Sequence, residues 1–349
     1  MPSAIYLIPV KQMLTQKFCE ELRPDLQAVM LCMHNAIDPN AALVQLLPKL
    51  SSLAPIEVTR FEAFMRGHVR SLLEHSSAVE IELLSRYPRV AWIWLFHNNG
   101  YCREAALMLL PVEPPSSFFL AALFWRTNDW VPQVKTAAEQ RLLQVLKHVS
   151  AEVATETALF LFHRIGNWAK MSPVAFGQVA SLLQRTDVQG EIVRRFTAGT
   201  DDCRTAEMKA CLRFDILDSH LPELARRSRN PAIRRLALRV LQDGYAEIPL
   251  DAHTVITDKI YGKYKLVRNA ELRPIPKYRN LPSLIRSALE DKSVFVRRMA
   301  ADGLILHRKS FRDVDLLANT LLTDRKASIR ERGDFLLRTN SSNNPRKKS

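Results

Sequence analysis

A short helical pattern recurs along this sequence and constrains its fold more than any other feature. An apolar residue is followed directly by a basic one, then by a small residue three positions later and by Leu four positions after that. Successive copies begin 32, 99, 63 and 33 residues apart, close to one, three, two and one units of about 33 residues. The five copies are Cys102-Arg103-Ala106-Leu110, Val134-Lys135-Ala138-Leu142, Ile233-Arg234-Ala237-Leu241, Val296-Arg297-Ala300-Leu304 and Ile329-Arg330-Gly333-Leu337.

The spacing within each copy is helical. Its apolar, small and Leu positions stand at i, i+4 and i+8, which lie on one face of a helix with 3.6 residues per turn. The clearest copies follow a second amphipathic segment and a short polar turn, such as the turn at 290–293. One such helix pair cannot bury both of its faces, so neighbouring pairs must stack. The pattern predicts an all-α fold, an α-solenoid of stacked antiparallel helix pairs.

The segment LPSLIRSALEDKSVFVRRMAADGL resembles a HEAT-repeat unit across both helices. In that family an Asp in the turn between the helices and an Arg six residues later form a ladder between repeats. The resemblance therefore implies ladder roles for Asp291 with Arg297 and for Asp324 with Arg330. It extends to Asp129, where Lys135 replaces the Arg. Ser228 and His97 stand where the Asp would precede Arg234 and Arg103, so the ladder is expected to be incomplete there.

Residues 244–280 interrupt the repeats. They contain β-branched and aromatic residues in partial alternation, with Gly262, Pro274 and Pro276, and proline breaks helices. We expect a loop or β-hairpin that protrudes from the helices, a common place for binding residues. The predicted organisation is an N-terminal helical region with degenerate or no repeats (1–55), HEAT-like repeats (56–243), a basic-aromatic insertion (244–280), C-terminal HEAT repeats (281–339) and a disordered basic tail (340–349).

The net charge of +14 is concentrated in the last third of the chain. Residues 1–221 contain 22 Lys and Arg and 22 Asp and Glu, whereas residues 222–349 contain 28 and 14. This asymmetry favours an acidic partner, although a basic surface also serves simply as a solvated one. The candidate binding residues, for a partner protein or a nucleic acid, are Lys259, Tyr261, Lys263, Tyr264, Lys265, Arg268, Arg273, Lys277, Tyr278, Arg279, Arg235, Arg239, Arg298, Arg308 and Lys309.

No enzyme signature is present. The sequence lacks the glycine-rich phosphate loops, the G-x-S-x-G nucleophile elbow and the H-E-x-x-H zinc helix. The five cysteines form no C-x-x-C pair, which predicts no metal site and a reducing, cytoplasmic location. We expect no cofactor, no small-molecule substrate and no membrane association. The aromatic runs 92–96 and 118–125 are predicted to be buried helices rather than a cofactor site.

Two functions remain open from the sequence. The first is a non-catalytic scaffold or adaptor that holds a partner protein with its helical surface and the insertion. The second is a nucleic-acid-binding solenoid that acts through the basic C-terminal third. Lysines and tyrosines close together at 259–265 suit both, since lysines neutralise phosphates and tyrosines stack on bases.

Overall fold

The chain folds into α-helices and one small antiparallel sheet. The structure, a computed structural model, describes residues 12–68, 77–162, 172–200, 203–259 and 261–342. Within those ranges no helix combines the length and the hydropathy needed to cross a lipid bilayer. Contacts divide the chain into two units, Met1–Val188 and Gln189–Ser349.

The first unit contains ten complete helices among its described residues: α1 (Gln16–His34), α2 (Asn40–Ser51), α3 (Val58–His68), α4 (Ser77–Arg86), α5 (Ala91–Trp94), α6 (Gly100–Leu109), α7 (Ser117–Arg126), α8 (Pro132–Val145), α9 (Ala151–Phe162) and α10 (Pro173–Gln184). Most of α11 (Thr186–Ala198) belongs to the second unit. The second unit continues with α12 (Thr205–Cys211), α13 (Leu221–Arg227), α14 (Pro231–Asp243), β1 (Tyr245–Asp258), β2 (Lys263–Pro274), α15 (Leu281–Leu289), α16 (Val294–Leu306), α17 (Val314–Leu322) and α18 (Ala327–Ser342).

Both ends of the chain are mainly helical where the structure describes them. The described part of 1–55 is helical, in α1 and α2. Helix α18 continues three residues into the predicted tail at 340–349. The remainder of that tail, 343–349, and residues 1–11 lie outside the described residues.

The core of the first unit is aromatic. Residues 92–96 and 118–124 are all buried, as predicted for these two runs, except that Trp125 at the end of the second run is half-buried. Phe61 packs edge-on against Phe96, with ring centroids 4.8 Å apart, and lies 5.6 Å from Phe118. Such edge contacts add stabilisation beyond the burial of the ring area.

A charged network is buried beside this core, at the turn between α7 and α8. Arg126 binds Glu62 at 2.7 Å and Asp129 at 2.8 Å, and Arg103 binds both oxygens of Asp129 at 2.9 and 2.8 Å. Burial raises the pKa of Asp129, but hydrogen bonds from Arg103 and the Val131 amide outweigh it and hold that pKa below its usual range. Two arginines therefore balance two carboxylates, which removes the cost of an unpaired buried charge.

Three helical hairpins follow one another in the second unit. The pairs α13 and α14, α15 and α16, and α17 and α18 each pack together. The second helices also pack in series, α14 against α16 and α16 against α18. The three hairpins are thus in contact one after another along this stretch of the chain.

The repeated arginine connects one hairpin to the next. Arg234 binds the carboxylate of Asp291 at 2.7 and 2.8 Å, and Arg297 binds that of Asp324 at 2.7 and 3.2 Å. Each arginine also donates to the backbone carbonyl six residues before it, that of Ser228 at 2.7 Å and that of Asp291 at 2.9 Å. The resemblance implied a ladder between repeats made of these Asp and Arg residues. In the structure each arginine binds the carboxylate of the following turn and only backbone carbonyls of its own turn.

The aspartate of the turn also accepts a hydrogen bond within its own turn. The carboxylate of Asp291 accepts the amide of Ser293 at 2.7 Å. Where the Asp is replaced, the Ser228 hydroxyl accepts the amide of Asn230 at 3.3 Å, and Nδ1 of His97 accepts the amide of Asn99 at 2.9 Å. These substitutes keep the turn but offer no carboxylate to an arginine, so the ladder is incomplete there, as expected.

The small residue of the pattern is required by close packing. A Cβ built on Gly333 would lie 2.6 Å from the carbonyl oxygen of Ala318 in α17, where a side chain does not fit. The alanines at this position in the other copies are all buried: Ala106, Ala138, Ala237 and Ala300. A larger residue here would force the helices of a hairpin apart.

We predict that Asp291→Ala lowers the free energy of unfolding by about 1–3 kcal/mol, because it leaves the half-buried Arg234 guanidinium without its charge partner. Urea unfolding followed by circular dichroism measures this effect. The matched control is Glu290→Ala, an exposed carboxylate one residue away, which should change stability by less than about 0.5 kcal/mol. Equal losses in the two variants would contradict a structural role for the ladder.

Candidate binding surfaces

The β-hairpin of β1 and β2 has a root fixed to the helices of the second unit. Gly244 ends α14 with a φ of 75°, which turns the chain into β1. Its carbonyl accepts the Ile275 amide at 2.9 Å, so the two strands are held together where they leave the helices. Ala246 and Ile248 are buried there. The insertion predicted at 244–280 is therefore a hairpin with an ordered base.

Arg273 anchors the root from β2. Its guanidinium binds the carboxylate of Asp218 at 2.9 and 2.7 Å and donates to the Leu212 carbonyl at 2.7 Å. The hydrogen bond from Arg273 to Asp218 raises the pKa of the guanidinium, so it stays charged. The sequence placed Arg273 among the candidate binding residues, and the structure gives all of its observed contacts to the fold.

In the distal half of the hairpin, the side chains described at 255–257 and 261–265 are exposed, and they lie on both faces. In the register of the sheet Ile256 stands opposite Tyr264, and Val255 stands opposite Lys265 on the other face. The exposed fractions are 49% for Ile256, 65% for Tyr264 and 41% for Val255. An isolated two-stranded ribbon is at best marginally stable in water. Apolar side chains on both of its faces therefore make this part a candidate contact surface.

Sequence reasoning missed Val255 and Ile256, since it selected only basic and aromatic residues in the insertion. The run of four β-branched residues at 254–257 was the available signal, but it does not reveal that both faces are exposed. That exposure results from the hairpin projecting beyond the helices that bury its root.

Cations and tyrosines lie at the tip of the hairpin. Lys259, Tyr261, Lys263 and Lys265 are exposed. The Lys263 ammonium lies 5.6 Å from the centroid of the Tyr261 ring, within the range of a cation–π contact. Tyr264 lies on the opposite face of the ribbon from Lys263 and Lys265, so the basic and aromatic residues of 259–265 are divided between its two faces. Arg268 lies in β2 opposite Ala252, and its side chain lies outside what the structure describes.

The candidates on helices separate into two kinds. Arg235 on α14 and Arg298 on α16 are exposed, occupy equivalent positions of their repeats and have no ion-pair partner among the described residues. Arg239 instead binds Asp243 at 3.2 Å and Glu247 at 2.9 Å, which ties α14 to the root of the hairpin. These two carboxylates already partly neutralise the positive charge of Arg239.

The remaining candidates flank the root. Arg308 and Lys309 follow α16, next to His307, whose Nε2 lies 2.9 Å from the Gln242 carbonyl near the end of α14. After β2, Lys277 and Arg279 are exposed, while Arg226 donates to the Tyr278 hydroxyl at 3.4 Å. These candidates therefore lie near the end of α14 from which the hairpin emerges.

The first unit contains an apolar groove of about 540 Å³. Leu43, Leu47 and Trp92 form its floor, and Arg89 and Glu113 add charge. The rest of its lining is mostly apolar: Val44, Pro48, Ser51, Pro111 and Pro115.

One buried group in the described residues has metal-ligand chemistry: Glu80, His97 and Cys102, whose ligand atoms lie within 4.8 Å of one another. Nδ1 of His97 accepts the Asn99 amide, so the proton of the neutral ring is on Nε2, the nitrogen that faces Glu80 at 3.5 Å. A protonated nitrogen cannot ligate a metal. Burial and a hydrogen bond to Glu80 also raise the pKa of Cys102 to about 12, which opposes a thiolate. The group fits a hydrogen-bonded cluster rather than a metal centre.

We therefore predict that the native protein, incubated with equimolar zinc and desalted, retains no stoichiometric metal by mass spectrometry. A disulfide reagent should react rapidly with Cys19 and Cys32, which are partly exposed, and with all five thiols only in urea. Cys102→Ala should remove one thiol from the count in urea and none from the native count. Stoichiometric zinc that disappears in Cys102→Ala would show a metal site instead.

Comparisons with known proteins give no match that bears on these surfaces. No protein-family model matches the chain, and no curated protein matches it either.

Proposed function

We propose that this chain is a non-catalytic binding scaffold, built from HEAT-like helical repeats, that grips a partner protein with the distal half of its hairpin. The observation that carries the proposal is the exposure of apolar side chains on both faces of a ribbon whose root is fixed. We further propose a cytoplasmic location, in keeping with cysteines that form no disulfide among the described residues.

A fixed root favours binding because the ribbon is ordered before the partner arrives. Arg273 and Gly244 hold its two strands at the helices, so less conformational entropy is lost on association. Covering the exposed parts of Ile256 and Tyr264 would contribute about 1 kcal/mol each. Lys265 lies on the other face opposite Val255, and Lys259 and Lys263 are exposed at the tip, so cations border the apolar side chains as a polar rim borders an interface core. The partner should therefore offer an apolar cleft with acidic edges.

The test is affinity purification of the tagged full chain from extracts of its source organism, with the affinity for the recovered protein then measured. The double variant Ile256→Ser/Tyr264→Ser should weaken that affinity about 30-fold, the equivalent of about 2 kcal/mol. Met108→Ser/Leu143→Ser is the matched control, since both residues are exposed and apolar but lie in the first unit. Equal losses in the two double variants, or an interaction that disappears entirely at about 300 mM salt, would contradict the proposal.

A second candidate function is nucleic-acid binding through the basic C-terminal third. Arg235, Arg298, Lys263 and Lys265 favour it, because they are exposed and have no ion-pair partner among the described residues. Such binding would weaken steeply with salt, because each phosphate contact releases counterions.

We predict for this second function that a fluorescent oligonucleotide binds at about 50 mM salt, with a log–log salt slope of about one unit per phosphate contact. If the hairpin supplies the contacts, Lys263→Glu/Lys265→Glu should abolish binding. Absence of binding by the wild-type chain at about 50 mM salt would exclude this function and leave the protein-scaffold proposal intact.

A further inference from the structure

Three turns of the second unit lie side by side at one end of its helical hairpins. They are the turns 228–230, 291–293 and 324–326, each between the two helices of a hairpin. Arg234 joins the first turn to the second, because it binds the Ser228 carbonyl and the Asp291 carboxylate. Arg297 joins the second to the third in the same way, through Asp291 and Asp324. We call this row of turns the turn edge.

The ladder neutralises the aspartates of the turn edge. Burial raises the pKa of Asp291, but hydrogen bonds from Arg234 and the Ser293 amide outweigh it, and its pKa lies below the usual range. The hydrogen bond from Arg297 likewise lowers the pKa of Asp324. Both groups are ionised at neutral pH, and each has its charge balanced by an arginine.

The other charged side chains of the three turns are cations. Arg229, Lys292, Arg325 and Lys326 are exposed, and none has an acidic partner among the described residues. The Arg229 and Lys292 carbonyls accept from Arg234 at 3.3 Å and from Arg297 at 3.2 Å, which fixes their backbone against the ladder. The row therefore presents at least one unpaired cation per turn from a rigid base.

The surface between the second and third turns is open and polar. A depression of about 610 Å³ lies there, with Lys292, Arg325 and Lys326 in its lining. Glu290 contributes the exposed acid of this lining, and the half-exposed Val294 contributes its one apolar side chain. A protein interface needs an apolar anchor at its centre, which this lining does not provide.

We infer that the turn edge binds the phosphate backbone of a nucleic acid without reading its sequence. Packed helices lie about 8–10 Å apart, so successive turns present cations at regular intervals along a line. A regular row of cations complements a regular row of phosphates, and the flexible arginine and lysine side chains tolerate differences in spacing. This inference deepens the second candidate function by assigning its contacts to residues other than the hairpin.

The turn edge and the hairpin are separate sites. Helix α14 begins at the turn edge and ends at Gly244, where the hairpin starts. Its 13 residues span about 20 Å at 1.5 Å per residue. Substitutions at one site can therefore be made without touching the other.

The test compares wild type with two double variants that change the total charge equally. Lys292→Glu/Arg325→Glu alters the turn edge, and Lys263→Glu/Lys265→Glu alters the hairpin. Binding of a random-sequence 20-base-pair duplex is followed by fluorescence anisotropy from about 50 to 300 mM salt. The turn-edge variant should bind at least about tenfold more weakly, with its log–log salt slope reduced by about 2, and the hairpin variant should stay within about threefold of wild type.

A second turn-edge variant separates the loss of two cations from the effect of two new acidic residues. Lys292→Gln/Arg325→Gln removes the two cations without placing new acids beside Asp291 and Asp324, and it should reduce the salt slope similarly while the melting temperature stays unchanged. A loss confined to the hairpin variant would overturn the inference and leave the second function standing. Absence of duplex binding by wild type would overturn both. Displacement of the duplex by polyglutamate of equal charge at equal concentration would reassign the turn edge to an acidic protein.

Discussion

The bidentate ion pair between a ladder arginine and the aspartate of the next turn is the interaction on which the second unit depends. The guanidinium of Arg297 donates to a carbonyl of its own turn and to the carboxylate of the following one. Its planar fork of donors suits both acceptors at once, which a lysine ammonium does not match. A helical hairpin has no core of its own, so a contact that fixes the offset between hairpins also fixes which apolar faces meet.

The ladder also explains how the chain accommodates its hairpin insertion. Arg297 and Asp324 are 27 residues apart, whereas Arg234 and Asp291 are 57 apart and form the same bidentate pair. The extra residues leave at Gly244 and return before α15, so α14 and α16 pack as direct neighbours. The 63-residue spacing between two copies of the pattern is therefore one repeat plus an insertion. A rigid junction on both sides is what holds the root of the ribbon in place.

Local periodicity was enough to predict the helices, the buried small positions such as Ala300 and Gly333, and a non-helical segment at 244–280. Those features depend on neighbours within about eight positions of the chain. The partners of individual charges could not be predicted in this way. Arg273 stands in the same kind of local sequence as its exposed basic neighbours. The carboxylate that it binds, that of Asp218, is 55 residues away in the sequence. Whether a basic residue clamps the fold or faces solvent is decided by which elements the tertiary packing brings together.

The distinction between charged residues bound within the fold and those that face solvent also explains the positive surface charge of the C-terminal third. Its acidic residues are few, and many of them are bound to arginines within the fold, among them Asp243, Glu247, Asp291, Asp302 and Asp324. Carboxylates held in this way cannot balance further cations at the surface. The surplus of Lys and Arg must then appear where side chains are exposed, in the turns between helices and at the tip of the ribbon. The ladder between hairpins thus also leaves a row of cations along their turns that have no acidic partner among the described residues, about 20 Å from the root of the hairpin at the other end of α14.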